Sequence, residues 1–216
     1  VEKDLTLYLL RHGETTMTVE GRFCGSSDPD LTEAGRAMAN EFAARYRETD
    51  WTAIYSSPMR RTIQTITPLL QALGRDPDIE EGFREIDYGT WEGRVVDTME
   101  REEPESFRYW AEDPGARGAP GGENAYQVAA RAVGAVERIR AEHRTGGSVL
   151  IASHKATIRV MVCAFLGIDA RRYRDRLACP LASLTRIRFT PLGPYLEALG
   201  DVGHLSAELR DRARAS

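Results

Sequence analysis

Lysine is nearly missing from this chain: the 29 basic residues include only Lys3 and Lys155, and every other cation is an arginine. Coding preference accounts for the bulk of that bias. No apolar run approaches the roughly 20 residues that span a bilayer, and the opening Val1-Glu2-Lys3-Asp4 lacks the apolar core of a signal peptide. A membrane partner is therefore not expected, and the cytoplasm is the expected address. Basic blocks are also missing. With a net charge of −4 and scattered cations, the chain has no electrostatic footprint for nucleic acid. Cysteine is scarce: Cys24, Cys163 and Cys179 are odd in number and form no CxxC pair, so they read as buried thiols rather than as a disulfide framework or a zinc site. Among His12, His143, His154 and His204 no pair has the i, i+4 spacing of a helical metal site. Neither a metal nor any other cofactor is expected.

What is present suits a globular enzyme-sized chain. The 216 residues, 42% hydrophobic and 29% charged, can bury a substantial core, and residues 1–216 read as a single domain. Leu5 to Leu10 is a short apolar run without Gly or Pro, as a buried strand requires. Thr32 is an N-cap candidate, and Ala34, Met38, Phe42 and Tyr46 then recur at near-helical spacing, which predicts a helix from about Glu33 to Arg47. A second strand is expected at Ala53 to Ser56. A helix from Pro58 to about Leu73 follows, with Pro at its first position, Arg61 in its first turn and an anion-favouring N-terminus. Residues 94–122 lack a strand pattern and read as a largely helical cap anchored by Phe107, Tyr109 and Trp110. Glu123 is expected to open a long helix lined by Ala129, Ala132, Val136 and Ile139. A strand at Ser148 to Ala152, a helix from Lys155 to Leu166 and a terminal hairpin at Ser183 to Phe189 and Tyr195 to Leu199 complete the pattern. Residues beyond about Glu208 are expected to fray. Strand followed by helix, three times over, predicts a doubly wound α/β fold: a mostly parallel sheet with helices on both faces, a terminal hairpin and a small helical cap.

The chemistry begins where the first strand ends. Arg11 and His12 close that strand and are followed by Gly13-Glu14-Thr15. A neutral imidazole can attack phosphorus, and a guanidinium beside it can hold two phosphate oxygens. That pairing suits phosphoryl transfer.

Five segments, in order along the chain, carry a resemblance. They are Leu9-Leu10-Arg11-His12-Gly13-Glu14-Thr15, Leu31-Thr32-Glu33-Ala34-Gly35, Tyr55-Ser56-Ser57-Pro58-Met59-Arg60-Arg61-Thr62-Ile63-Gln64-Thr65, Phe83-Arg84-Glu85-Ile86-Asp87-Tyr88-Gly89-Thr90-Trp91-Glu92-Gly93, and Ala152-Ser153-His154. Together they resemble the histidine phosphatase superfamily, in its phosphoglycerate mutase-like branch. The resemblance implies a phosphohistidine at His12, with one ring nitrogen attacking and the other donating to a backbone carbonyl, and with Gly13 permitting that close approach. It implies a phosphate clamp of Arg11 and Arg61 with His154 as a third donor, and Glu85 as the acid that protonates the leaving oxygen. Proton donation from Glu85 would need burial or the bound phosphate dianion to raise its proton affinity; the structural alternative is an ion pair with Arg84 or Arg94. Arg60 reads as a surface charge, and Glu14 as an orienting group.

Two departures bear on the substrate. The family commonly has Asn six residues after the nucleophile, where this chain has Thr18, a shorter candidate ligand for phosphate. Small residues usually follow the Ser-His pair, whereas here Lys155-Ala156 follows. Lys155 either adds a cation for a second anionic group or points along the helix surface. Nothing in residues 94–122 reproduces the longer carboxylate-gripping insertion of the mutases, so the chain resembles the small-molecule phosphatases more closely. The expected partner is a small phosphomonoester, and a homodimer is left open. Phosphoglycerate mutase-type transfer is the alternative activity, and a non-catalytic phospho-ligand binder the alternative of another class.

Overall fold

The computed structural model describes residues 4–215. The opening residues 1–3, part of the segment without a signal-peptide core, lie outside them. In chain order the elements are β1 (Leu5–Arg11), α1 (Thr16–Val19), α2 (Glu33–Tyr46), β2 (Trp51–Ser56), α3 (Arg60–Leu73), β3 (Asp78–Ile79), α4 (Val96–Glu102), α5 (Pro104–Glu112), α6 (Ala125–Glu142), β4 (Gly147–Ser153), α7 (Lys155–Leu166), β5 (Leu184–Thr190), β6 (Gly193–Asp201) and α8 (Ala207–Arg214). The six strands form one sheet in the order β3-β2-β4-β1-β5-β6. Its first four strands run parallel, and β5 and β6 extend it antiparallel as the expected terminal hairpin.

Strand periodicity sorts the core onto two faces. Leu5, Leu7 and Leu9 of β1, with Val149 and Ile151 of β4, pack with Val128, Ala132 and Val136 of α6 and Ile158 and Val162 of α7. Their neighbours Leu10, Leu150 and Ala152 face the other way, onto Phe42 of α2 and Ile66 and Leu69 of α3. Helices therefore cover both faces, and β1 and β4 are buried throughout their C-terminal halves.

Register then sets the site. Leu5 pairs with Gly147 and Arg11 with Ser153, so the residues that follow, His12 and His154, leave adjacent parallel strands at the same level. Ser56 pairs with Ala152, which brings Ser57 to the same sheet edge. Their ring centroids place His12 and His154 5.3 Å apart.

Several boundaries differ from the sequence reading. Helix α3 begins at Arg60 with Met59 as N-cap, so Pro58 precedes the helix instead of occupying its first position. The Asp28 carboxylate accepts the Arg60 amide at 2.9 Å, which supplies a cap from a distant loop and occupies an N–H that the sequence left for an anion. Helix α6 starts at Ala125, because Asn124 and Gln127 form a capping box there. Glu123 lies outside it and instead accepts the Asp87 amide and two N–H groups of Arg131. The cap is helical, as expected, through α4 and α5, and Phe107 and Trp110 pack around Phe23, Trp91 and Met99. Tyr109 is no anchor: it is 57% exposed, with Arg117 over its ring. The chain does not fray after Glu208. Leu209 and Ala213 of α8 are buried against Met38 and Leu181, and Arg212 makes a two-bond ion pair with Glu14, both at 2.9 Å. No helix among the described residues is long and apolar enough to cross a membrane.

Candidate active site

The residues picked from sequence fall into two shells at the carboxyl ends of β1 and β4. Arg11, His12, Glu85, Thr18 and Lys155 line one cavity of about 1010 Å3. Arg61 and His154 lie wholly enclosed beside it, each 0% exposed.

His12 is held by three groups. Its amide donates to Ser153 O at 3.0 Å, its carbonyl accepts from the Ala182 amide at 3.1 Å, and its Nδ1 lies 2.8 Å from Gly13 O. A carbonyl only accepts, so Nδ1 carries the proton and Nε2 keeps its lone pair. Burial, followed by the charges of Arg61 and Arg11, holds the imidazole's proton affinity well below its ordinary value, so the ring is neutral at pH 7. The turn after it depends on two glycines in contact. A Cβ on Gly13 would sit 2.8 Å from Gly35 O, and one on Gly35 would sit 2.2 Å from Glu14 O. Gly13 thus serves the approach of α2 to the loop, while its own carbonyl meets the His12 ring.

Arg61 donates from Nε to His154 Nδ1 at 3.2 Å, from Nη1 to Ser27 O at 2.7 Å and from Nη2 to Gly25 O at 3.1 Å. Because the guanidinium can only donate, His154 Nδ1 accepts and its Nε2 carries the proton, which goes to Ser57 Oγ at 2.8 Å. Both ring nitrogens of His154 are therefore engaged within the protein, and the proton expected to serve as a third phosphate donor goes to Ser57. Burial and then the Arg61 charge hold His154 neutral as well. Arg60, in contrast, faces outward onto Asp28 and Asp30 with 59% of its side chain exposed.

Arg11 donates from Nη1 to Cys179 O at 2.7 Å. Glu85 does not pair with Arg84 or Arg94, which go to Glu81 and to Glu102 and Glu103. Its Oε1 accepts the Ile86 amide, the Thr157 amide and the Thr157 hydroxyl, while Oε2 accepts the Ala156 amide at 3.1 Å. The carboxyl is thus pinned on the first turn of α7. Thr18 closes a capping box instead of standing free. Its hydroxyl donates to Thr15 O at 2.8 Å and accepts the Thr15 amide at 2.9 Å. Its one proton is committed to the turn. Cys24 is only half-buried and lines the cavity with Gly21, Arg22 and Phe23, unlike the buried Cys163 and Cys179.

Sequence reasoning missed three supports. Ser57 stands in a matched segment with no role assigned to it, although its place beside a strand end was a usable signal. Thr65 accepts the Gly13 amide at 2.9 Å and so ties the turn after His12 to α3. Glu92 accepts the amides of Gly25, Ser26 and Ser27 and shapes the loop whose carbonyls hold Arg61.

The two buried neutral imidazoles make stability pH-dependent. Their folded-state pKa values lie below the ordinary 6.5, so between the two values the unfolded chain binds protons that the folded one refuses. Their contribution is complete above about pH 6.5 and is lost as pH falls toward the folded values, with a limiting slope of about 1.4 kcal/mol per pH unit for each ring. Urea unfolding should show the midpoint falling between pH 6.5 and 5, before most carboxylates titrate. A midpoint constant over that interval would contradict the neutral assignments.

The sheet order, the cap and the strand-end cluster define an α/β protein with the phosphoglycerate mutase-like fold. More particularly, the chain belongs to the histidine phosphatase superfamily, whose branch 1 family model matches residues 7–202. It is 35% identical over 167 residues to phosphoserine phosphatase 1 of Hydrogenobacter thermophilus, covering 77% of this chain and 79% of that protein. It is 33% identical to a probable phosphoglycerate mutase of Salmonella choleraesuis, covering 96% and 98% of the two chains. Among solved structures, YhfR of Bacillus stearothermophilus aligns with a TM-score of 0.84 and 31% identity, covering 94% of this chain and 100% of that one.

Proposed function

We propose that this protein is a metal-independent phosphomonoesterase that hydrolyses a small phosphorylated metabolite through a phosphohistidine at His12. The observation that carries the reading is the His12 tautomer. With Nδ1 committed to Gly13 O and the ring neutral, the unprotonated Nε2 belongs to a ring that lines the same cavity as Arg11 and Glu85.

In the first step the Nε2 lone pair forms a bond to phosphorus as the phosphorus–oxygen bond to the leaving group breaks. Glu85 passes its proton to that departing oxygen. In the second step water attacks the phosphohistidine, gives its proton to Glu85 and releases inorganic phosphate, which restores both groups. Arg11 holds the non-bridging oxygens. Arg61, buried beside the ring, keeps His12 unprotonated and opposes the charge that develops on phosphate, while His154 and Ser57 hold Arg61 and the sheet edge in register. Fixed cations of this kind need no reorganisation during the reaction, which is what makes them effective.

Relatives of the chain include both a phosphoserine phosphatase and a probable phosphoglycerate mutase. A hydrolase surrenders the phosphoryl group to water, whereas a mutase returns it to a second oxygen of the substrate. Phosphate release from a panel of phosphomonoesters, with EDTA present, together with acid-quenched and alkali-quenched samples of radiolabelled protein, tests the reading. Turnover that resists EDTA and an enzyme-bound label that survives alkali but not acid are expected. No phosphate release, with interconversion of 3- and 2-phosphoglycerate, would replace the hydrolase by the mutase. Neither activity nor label would leave a binding protein.

A further inference from the structure

The cavity that holds the reacting groups continues past them, along α7 and beneath the cap. Lys155, Arg159 and Arg174 line that continuation. Lys155 and Arg159 stand four residues apart on α7, so they share one face of the helix, a spacing at which like charges weaken a helix. Among the described residues neither side chain forms an ion pair or hydrogen bond, and Arg159 Nε is buried with no hydrogen-bond partner. Arg174 lies 3.6 Å from the centroid of the Trp110 ring, which is itself 3% exposed in the cap core. That stacking fixes the guanidinium at the wall while leaving its N–H groups without a carboxylate.

The carboxylates of the same wall are engaged elsewhere. Asp175 pairs with Arg172 at 2.6 Å and Glu112 with Arg117 at 2.8 Å, while Glu85 accepts the α7 amides. Three cations thus line one cavity, with Arg159 repelling both Lys155 and Arg174. Partly buried charge without a partner is costly, and elsewhere in the chain Arg131 and Arg188 each meet a carboxylate at 2.8 Å. An anion in the cavity would relieve all three at once.

We propose that Lys155, Arg159 and Arg174 form a second anion subsite, which takes a carboxylate or a second phosphate carried by the substrate away from its reacting phosphoryl group. The word substrate rests on the hydrolase reading; the subsite itself does not. Of the two roles open to Lys155 in the sequence, the subsite takes the first. It also identifies Arg159 and Arg174 as specificity-determining residues that no motif singled out.

Two matched pairs of ligands test it. 3-Phosphoglycerate differs from glycerol 3-phosphate by a carboxylate, and fructose 1,6-bisphosphate differs from fructose 6-phosphate by a phosphate. Calorimetric binding is measured in a His12→Ala background, where nothing is consumed. The member with the additional anionic group should bind about tenfold tighter or more in at least one pair, and the pair that shows it tells carboxylate from phosphate. Arg159→Gln, and separately Lys155→Gln, should shrink that ratio to within about threefold, with the thermal unfolding midpoint as the check on folding. Equal affinities within both pairs before substitution, or a ratio that survives both substitutions, would overturn the subsite. If the binding ratio appears while the whole phosphomonoester panel yields no phosphate, the hydrolase reading falls and the subsite stands, because the binding ratio does not depend on turnover.

Discussion

Replacing His12 by alanine is expected to lower phosphate release by about 10⁴-fold or more, with no compensating change in KM. The size of the effect follows from what remains. Arg11, Arg61 and Glu85 would still bind and polarise a phosphomonoester, but among the described residues no other imidazole lines the cavity. His154 cannot substitute, since Arg61 and Ser57 occupy its two ring nitrogens. Water attacking phosphorus directly would have to enter without the positioning that a covalent step provides. His12→Asn is the companion variant. Its side chain can still donate to Gly13 O, so its loss of turnover separates missing nucleophile from disturbed turn. The measurement is initial phosphate release under single-turnover and steady-state conditions, with retained urea midpoint as control. A His12→Ala protein that keeps even one tenth of the activity would remove the phosphohistidine from the mechanism.

How much of this was legible beforehand depended on the range of the interaction. Local periodicity located α2, α7 and the buried strands to within a residue or two, because their apolar stripes are set by neighbours three, four or two positions away. The boundaries that moved were fixed from afar: α3 by Asp28, more than thirty residues upstream, and the tail by the ion pair from Arg212 to Glu14. The same division holds at the site. Arg11 and His12 declared themselves through their position at a strand end. The placement of His154 beside His12 required the register of β1 on β4, which no single segment contains. Arg159 and Arg174 were invisible in a chain full of arginine, since a sequence does not say which of its cations lacks a counter-charge. Thr18 shows the opposite error. Its spacing from His12 suggested a phosphate ligand, while the local backbone claimed the hydroxyl first.

Glu85→Gln is expected to cost about 10²- to 10⁴-fold in turnover of an alkyl phosphate, and far less with p-nitrophenyl phosphate. The contrast is the test, because a good leaving group departs without being protonated and an alkoxide does not. The substitution also has a structural cost that must be separated from the chemical one. Glu85 Oε1 accepts three donors and Oε2 accepts the Ala156 amide. A glutamine can offer only one oxygen, so its amide nitrogen would face an N–H of the α7 first turn, donor against donor. An unsatisfied buried donor of that kind costs about 1–3 kcal/mol, which lowers the unfolding midpoint but acts on both substrates alike. A general-acid role therefore predicts that the ratio of alkyl to aryl activity collapses, whereas a purely structural role predicts that both fall together. In the native carboxyl, Oε2 makes the single amide bond and is the oxygen with capacity to carry and pass a proton. Equal losses with the two substrates would transfer the acid's task to another group in the cavity and leave Glu85 as the pin that holds the first turn of α7.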